Sequence, residues 1–598
     1  MNGIKNQWEI IKISFISNKI HCSLYILIRV ITSLIPAFYV LAYSEFIDNI
    51  LKFYSGYVTY RALLYPFLGI SFITFLKYLC ESVEGYISNK MYLNLLKTLK
   101  VKMIEKRAKL KYELIENKDI WDLIYRTSKG IPDKISIGFI SLFDLLELFI
   151  NIISTIIIIG MFSKIVAVIV FLSFIPIVIV SIKSGKNDYS GYKEIEKIHR
   201  RIESYESILI SKEYVDERTI FNYTKFFSEK CKSAYNAMIS MFLKIKLRFY
   251  KKVKITSFII TIIILGIIFI LMNLAVNKTI TIGLFTSIVM ELLGIINSIA
   301  WRLASIVYKL INSNVYMKDY LTFYSLEEIS ADTLNSQCID HINNIEFKNV
   351  SFKYPGNTEY TLKNLNMKIN NNENCAIVGE NGAGKSTLIK LLLKLYDNYE
   401  GQILINGIEL RKVKDVTSLF SVVFQDYSKY EISIKDNLTF GDNKISEEKL
   451  FQYFNYVNFP MIKEKFNNGI YTELGRLTNI NTDMSIGQWQ KLAMVRALCE
   501  KGNFYILDEP TAALDPITET IVYRDFMKIL RKNPSLIITH RLGAAKLADK
   551  IIVIKDGTNV ETGSHEELME KDSIYKRMYE SQSRWYNDEK SEYIKSDL

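Results

Sequence analysis

The chain has 598 residues, a formal net charge of +12 and 23% charged residues. Its mean hydropathy is nevertheless positive, at +0.11, which indicates a very apolar part joined to a very polar part, and the length exceeds a single core. Six scattered cysteines, with no CxxC pair and no Cys/His cluster at zinc spacing, fit a reducing compartment and argue against a disulfide framework or a zinc site.

The first half contains six apolar stretches long enough to cross a bilayer, whose core needs about 20 residues of helix. They cover 22–47, 62–86, 138–160, 164–184, 254–276 and 280–310. Segments such as "SFIITIIILGIIFILM" are apolar all round, so no face of the helix suits water. Six buried core helices of a soluble protein are the alternative, which the number of stretches disfavours. We expect an α-helical membrane domain over 1–323.

Lysine and arginine are concentrated in two segments, 87–136 and 185–253, and are sparse in 48–61, 161–163 and 277–279. The positive-inside rule then places the rich segments and both termini in the cytosol. The basic charge is explained by topology and by membrane lipid, so we expect no nucleic-acid partner. Both rich segments predict helices that continue beyond the bilayer, roughly 25 Å at about 1.5 Å per residue.

The second half changes to short β-rich runs alternating with helices, typical of an α/β domain. We expect a linker over 324–340, the α/β domain over 341–575 and a charged tail over 576–598. "CAIVGENGAGKSTLIKLLLKL" predicts a strand, a glycine-rich turn and a helix, and it satisfies G-x-x-x-x-G-K-[ST]. The predicted phosphate-binding residues are Gly379, Glu380, Asn381, Gly382, Ala383, Gly384, Lys385, Ser386 and Thr387. Backbone N–H groups and the helix dipole face the phosphates there, Lys385 neutralises charge, and the Ser386 hydroxyl suits Mg²⁺.

Two carboxylates end an apolar strand in "NFYILDEP". Asp508 suits the magnesium shell, and Glu509 is placed to polarise a water toward the γ-phosphate. His540 ends the buried strand "SLIITHR" and is a candidate γ-phosphate contact, although a lone histidine is more often structural. Tyr354, in "VSFKYPG", is a candidate for stacking on adenine, the alternative being a partly exposed strand tyrosine.

With the P-loop, "LDEP", "THR" and "MSIGQWQ" in this order, the chain resembles an ABC transporter half-molecule of the exporter type over nearly its whole length. The resemblance implies a six-span domain followed by one nucleotide-binding domain that uses ATP and Mg²⁺. It makes Tyr354 the adenine-stacking aromatic, Gln425 in "VVFQD" the Q-loop glutamine that senses magnesium, Asp515 in "AALDP" the D-loop aspartate and His540 the switch histidine.

In that family, ATP lies between the P-loop of one subunit and the signature helix of the other. The resemblance assigns Ser485, Gly487 and Gln488 to the signature, as a lid for the partner's ATP. Hydrolysis removes the γ-phosphate that holds two subunits together, so an ATP-driven dimer alternates between inward- and outward-facing forms.

Two departures from the family pattern stand out. "MSIGQ" has Ile486 where the consensus LSGGQ has glycine, so a homodimer is favoured but one partner of a heterodimer stays open. "TELGRL" has Arg476 where exporters usually have glutamate. We expect Arg476 to pair with acids of "KEYVDER" (Glu213, Asp216 or Glu217), the alternative being an exposed arginine without a fixed partner.

The cargo is less well defined by the sequence. The Trp-Gln pair after the signature is similar to exporters of bacteriocin and lantibiotic precursor peptides, so a peptide is expected, exported across a bacterial cytoplasmic membrane. Because 21 residues precede the first span, we expect no N-terminal peptidase domain.

Intramembrane acids suggest an acidic cavity for cationic cargo, unless the basic residues Arg29, Lys77 and Arg302 neutralise them. The acids are Glu81, Glu84, Asp144, Glu147 and Glu291. A drug or lipid exporter would share every ATP-site residue, and an importer on the same fold is a further alternative.

Overall fold

A computed structural model of the chain describes residues 2–128, 130–298, 302–329, 337–371, 373–442, 445–459, 466, 468–475, 484–510 and 533–583. The chain divides into two compact units. Unit 1 comprises 1–110 and 119–326, and unit 2 comprises 111–118 and 327–598. Unit 1 spans most of the range 1–323 expected for the membrane domain, whereas the segment 111–118 belongs to unit 2.

Unit 1 is built of long helices. The helices of unit 1 are α1 Asn2–Tyr54, α2 Arg61–Ala108, α4 Lys118–Ser128, α5 Ile131–Phe162, α6 Lys164–Ile210, α7 Val215–Phe221, α8 Thr224–Val276, α9 Ile282–Ser298 and α10 Ala304–Tyr324. The short helix α3, Tyr112–Glu116, lies between α2 and α4 in the chain but belongs to unit 2. Within the described residues, four helical segments are long and apolar enough to cross a membrane. They lie in Gly3–Tyr54, Arg61–Ala108, Ile131–Phe162 and Phe258–Val276, and shorter apolar helices cover Lys164–Ser173 and Ile282–Ile295.

Helix α1 begins well before the first predicted span. A non-helical backbone at Asn18 (φ −163°, ψ 59°) separates an N-terminal part from the apolar run that follows. That first part exposes Ile4 and Trp8 at 81% and 66%. The sequence prediction missed this helix because its apolar residues alternate with polar ones, which suits a membrane surface better than its interior.

The apolar helices pack closely where a small residue permits it. Gly283, at the start of α9, donates its N–H to Asp48 Oδ1 of α1 at 2.8 Å. A Cβ at position 283 would lie 2.1 Å from the Ser44 carbonyl oxygen, so no larger residue fits this approach. The fully buried Ile264 and Leu292 join α8 and α9 to one apolar core.

The described residues of unit 2 form two sheets and several short helices. The strands are β1 Asn344–Phe352, β2 Leu362–Asn370, β3 Asn374–Val378, β4 Glu400–Ile405, β5 Ile408–Glu409, β6 Phe420–Val423, β7 Phe504–Asp508, β8 Ser535–Ile538, β9 Lys550–Lys555 and β10 Thr558–Gly563. Besides α3, the helices of unit 2 are α11 Lys385–Leu392, α12 Ile434–Thr439, α13 Glu447–Tyr456, α14 Ile486–Cys499, α15 Leu542–Ala545 and α16 His565–Glu570.

The larger sheet positions the functional residues. Its strand order is β10-β9-β3-β8-β7-β6, with parallel pairing from β9 to β6 and an antiparallel edge at β10. Strands β3, β7 and β8 are buried along their whole length, as a sheet covered on both faces requires. The carboxyl ends of β3, β6, β7 and β8 therefore meet at one edge, where open α/β sheets bind ligands.

Candidate functional site

The glycine-rich turn follows β3 directly. Gly384 has φ +99°, and a Cβ there would lie 2.7 Å from Leu362 Cδ2, so both conformation and space require glycine. Lys385 begins α11 and is 6% exposed. Its Nζ donates to the carbonyl oxygens of Gly379 at 2.9 Å and Glu380 at 2.8 Å. Burial lowers the Lys385 pKa, which the carboxylates of Glu509 and Asp508 oppose. The cation is thus held over the turn that was predicted to cradle phosphates.

Asp508, the last residue of β7, has the properties of a metal ligand. It is 6% exposed, and its Oδ1 is buried without a hydrogen-bond partner, which is unusual for a carboxylate oxygen. Burial, and next the charge of Glu509, raise the Asp508 pKa to about 6, while the Ser386 hydroxyl bonds the carboxylate and opposes the shift. This hydroxyl–carboxylate pair fits Mg²⁺, which uses one or two carboxylates together with substrate phosphates.

Glu509 lies at the centre of the arrangement. Its φ of +47° is strained for a residue with a side chain, and such strain is typical of functional sites. Its carboxylate accepts from Gln425 Nε2 at 3.2 Å, and Glu509 Oε1 lies 2.7 Å from His540 Nε2. Burial and the Lys385 cation lower the His540 pKa against the opposing charge of Glu509, so His540 is neutral at pH 7 and donates from Nε2. The structure thus brings together three residues that follow the carboxyl ends of three neighbouring strands, β6, β7 and β8.

Tyr354 lies two residues beyond β1, beside the same turn. Its hydroxyl is 2.9 Å from Thr387 Oγ1, and its ring packs edge-on against Tyr396 at 5.5 Å. Lys390 Nζ lies 5.4 Å from the Tyr354 ring centroid and 2.8 Å from Glu116 Oε1.

The partners of Tyr354 include residues that the sequence analysis missed. Tyr396 also donates to Glu116, and its ring meets Tyr112 of α3 edge-on at 5.6 Å. Burial raises the Glu116 pKa, but the bonds from Lys390, Tyr396 and Tyr112 outweigh it and lower the pKa overall. Helix α3 is therefore part of the surroundings of Tyr354. The basic residues around α3 predicted only a helix that extends into the cytosol, and they did not indicate that α3 lies near Tyr354.

The residues that the resemblance assigns to the signature lie at the start of α14. Ser485 and Gln488 make a capping box: Gln488 N donates to Ser485 Oγ at 3.3 Å, and Ser485 N donates to Gln488 Oε1 at 3.0 Å. A hydroxyl that accepts one bond keeps its own proton to donate. Gly487 occupies the first helical turn, and Ile486 is 62% exposed. The N–H groups of Ile486 and Gly487, at the start of the helix, have no acceptor one turn earlier in the helix, which suits an anion.

Asp515 and Arg476 lie outside the described residues, so their assignments stay predictions, as does the pairing of Arg476 with Glu213, Asp216 or Glu217. Asn381, Gly382 and Ala383 complete the turn between β3 and α11.

Three of the five acids predicted within unit 1 form ion pairs with arginine. Arg29 of α1 contacts Glu84 of α2 and both Asp144 and Glu147 of α5, with 2.7 Å to Asp144 Oδ1. Arg302 reaches Glu147 Oε2 at 3.1 Å. These five residues, named the Arg29 cluster, favour neutralisation over an acidic cavity for three of the five acids. Glu81 is exposed and Glu291 is half-buried.

A parallel sheet that collects a phosphate-binding turn, a Ser–Asp pair and a Gln–Glu–His group at one edge defines a P-loop ATPase. Its attachment to a unit of long apolar helices defines the ATPase of a membrane transporter.

Comparison with known proteins agrees with this class. The family model described as ABC transporter matches residues 362–512. The subtilin transport ATP-binding protein SpaT of Bacillus subtilis is 30% identical, over 93% of this chain and 90% of that protein. The nisin transport ATP-binding protein NisT of Lactococcus lactis subsp. lactis is 26% identical, over 97% of this chain and 96% of that protein. The fold is similar to a bacterial Atm1-family ABC exporter with ATP bound, with a TM-score of 0.78, 20% identity, and coverage of 95% of this chain and 98% of that one.

The chain belongs to the ABC transporter family, and the predicted exporter-type fold, with its helical domain and α/β nucleotide-binding domain, is confirmed. It is a membrane protein that binds ATP, hydrolyses it to drive transport and works as a dimer.

Proposed function

We propose that this chain is one half of a dimeric, ATP-driven exporter of a peptide across a bacterial cytoplasmic membrane. The observation that carries the proposal is the extent of similarity to the subtilin and nisin transport proteins. It covers 93% and 97% of this chain, so it includes the helical unit that would hold cargo. Similarity restricted to the ATP-binding part would not bear on the cargo, since drug and lipid exporters share those residues.

The ATP site binds the triphosphate through the turn 379–384, Lys385 and the backbone at the start of α11. Ser386, Asp508 and Gln425 would hold Mg²⁺, which supplies positive charge next to the β- and γ-phosphates. The partnerless Oδ1 of Asp508 supports this assignment. Tyr354 offers its ring to the adenine, with its hydroxyl fixed by Thr387.

Hydrolysis depends on Glu509. Its carboxylate, aligned by Gln425 and His540, orients a water and accepts its proton as the water attacks the γ-phosphate. Neutral His540 keeps its Nε2 proton as a donor, so the same group is available to the γ-phosphate when ATP is present. Both partners fix the carboxylate before the substrate arrives, which lowers the cost of ordering it.

The second chain completes each pocket. Ser485, Gly487 and the dipole of α14 would contact the γ-phosphate bound to the partner's P-loop, and Asp515 would lie at the same interface. A homodimer is favoured because Glu509, His540 and both ends of the capping box are present in this chain. The nucleotide-binding unit and both termini are assigned to the cytosol by the Lys/Arg distribution.

The test uses the full chain, purified alone and reconstituted in lipid vesicles with the ATP site outward. A fluorescent peptide, a fluorescent phospholipid and a hydrophobic dye serve as cargo probes. We expect ATP-dependent uptake of the peptide, and no uptake with Glu509→Gln, which should retain ATP after desalting. Uptake of the lipid or the dye in place of the peptide would contradict peptide export, and inactivity of the chain alone, restored by a second half-transporter, would establish a heterodimer.

A further inference from the structure

One loop in unit 2 contacts both the catalytic carboxylate and the signature segment. We define the glutamine loop as residues 424–433, between β6 and α12, and the signature segment as residues 484–488. At its start, the Gln425 side chain donates to Glu509 at 3.2 Å. Two residues later, the Tyr427 hydroxyl donates to the main-chain carbonyl oxygen of Ile486 at 2.9 Å. The two contacts belong to different ATP pockets, because Glu509 acts on the ATP bound to its own chain and the signature segment contacts the ATP bound to the partner chain.

Tyr427 is well placed for a fixed contact. Its half-buried ring packs against the apolar cluster that contains Trp489 and Leu492 of α14. Burial raises the Tyr427 pKa, so the hydroxyl keeps its proton near neutral pH. The bond therefore connects the loop with the first helical residue of α14, next to the capping box of Ser485.

A second contact holds the same loop farther along α14. Arg496 donates to the carbonyl oxygens of Asn437 at 2.9 Å and Ser428 at 3.3 Å, and its guanidinium lies 4.7 Å from the Tyr430 ring centroid. Ten residues separate Ile486 from Arg496, about 15 Å along a helix. With one attachment at each end, the glutamine loop and α14 are expected to move together.

We propose that Tyr427 is a positioning residue that links the two ATP pockets of the dimer, by transmitting movement of Gln425 at one pocket to the signature segment of the other. The inference rests on the proposed two-chain pocket. When Gln425 is drawn toward magnesium and the γ-phosphate, the loop turns at Tyr427, and the hydroxyl bond pulls the start of α14 with it. Without that bond, the signature segment would no longer move when its own chain binds ATP.

The test compares Tyr427→Phe, which keeps the ring and removes the hydroxyl, with Tyr456→Phe on α13 as a matched control. One hydrogen bond contributes a net 0.5–1.5 kcal/mol, or roughly 2- to 13-fold. In the full-length dimer in lipid, we expect Tyr427→Phe to raise the KM for ATP about 3- to 10-fold with kcat within about twofold, and to lower the Hill coefficient toward one. Tyr456→Phe should match the parent protein.

A second readout separates this inference from the proposed function. In a Glu509→Gln background, the ATP concentration needed for half-maximal ATP retention after desalting should rise by the same factor with Tyr427→Phe. Binding of a fluorescent ATP analogue without magnesium should not change, because the contacts of Tyr427 in the described residues are with the signature segment and the apolar cluster around α14. If retention occurs at the same ATP concentration with Tyr427 and with phenylalanine, or if the Hill coefficient is unchanged, the inference is wrong and the proposed function stands. If Glu509→Gln retains no ATP at any concentration, the two-chain pocket and this inference both fail.

Discussion

The contacts of the Arg29 cluster allow a specific prediction about the stability of unit 1. Arg29 is 13% exposed and contacts three carboxylates from two other helices. Arg29→Gln keeps much of the side-chain length but removes the charge, so the formal charge of the five-residue cluster changes from −1 to −2. Three poorly solvated carboxylates then repel one another across the α1, α2 and α5 contacts, and Arg302 remains as the single cation of the cluster.

The expected cost follows from burial. Removing one partner of a buried pair costs about 3–5 kcal/mol, and the lower end applies here because Glu84, Asp144 and Glu147 keep 16%, 14% and 17% side-chain exposure. At about 2–4 °C per kcal/mol for a large domain, a loss of about 3 kcal/mol should lower the unfolding midpoint by about 6–12 °C. The matched control is Arg302→Gln, since Arg302 is 46% exposed and bonds Glu147 only within this cluster. It should cost about 0–1 kcal/mol.

The assay should report on unit 1 by itself. Cys22 on α1 and Cys80 on α2 are 0% and 7% exposed, so their thiols react with a maleimide only after these helices separate. Labelling of the two cysteines against temperature, mapped by peptide mass spectrometry in lipid nanodiscs, gives the midpoint. Adding Asp144→Asn to Arg29→Gln should recover part of the loss. Equal losses for Arg29→Gln and Arg302→Gln, or no recovery on adding Asp144→Asn, would refute the argument.

Three further substitutions test unit 2. Tyr354→Ala should weaken ATP binding about 5- to 160-fold, as expected from the roughly 1–3 kcal/mol of base stacking. Tyr354→Phe should change it less than about threefold in equilibrium titrations, and equal effects would exclude stacking. Gly384→Ala should lower the unfolding free energy by about 1–3 kcal/mol, because alanine is strained at this φ and its Cβ clashes with Leu362. The control is Gly382→Ala, where a Cβ meets nothing within 4 Å, and it should cost less in the same denaturant titration. Lys390→Ala should speed hydrogen exchange across α3 while ATP binding stays within about threefold; unchanged exchange would show that α3 is held by other contacts.

Much of the grouping of the proposed ATP-site residues was predictable, because these residues lie at the ends of strands. Once β3, β7 and β8 are recognised as buried parallel strands, their carboxyl ends must share an edge, and Lys385, Asp508 and His540 follow without further information. The resemblance assigned Ser485 and Gln488 to the signature, but it did not predict the capping box, because the bond from Ser485 N to Gln488 Oε1 depends on the side-chain rotamer of Gln488.

Contacts between residues distant in sequence were not predictable in this way. Arg29 and Glu147 are on different helices, and only the packing of α1 against α5 makes them neighbours. The neutralisation of the acids was therefore one of two open alternatives. Helix α3 poses the same problem, because Glu116 has no sequence pattern that pairs it with Lys390. Periodicity predicts that a helix exists and which of its faces are apolar, whereas the partner depends on tertiary packing.

The departure at Ile486 illustrates what local physics adds to a resemblance. Position 486 is the first helical residue of α14. Because the backbone is helical there, isoleucine is tolerated better than glycine, which has a lower helix propensity. The side chain is 62% exposed, so isoleucine displaces nothing within its own chain. The capping box uses the N–H of Gln488, which leaves the N–H groups of Ile486 and Gly487 directed outward with the dipole. The replacement therefore preserves the N–H donors of the proposed lid and alters only its outer surface. We expect this change to affect the approach of the partner chain rather than the folding of α14.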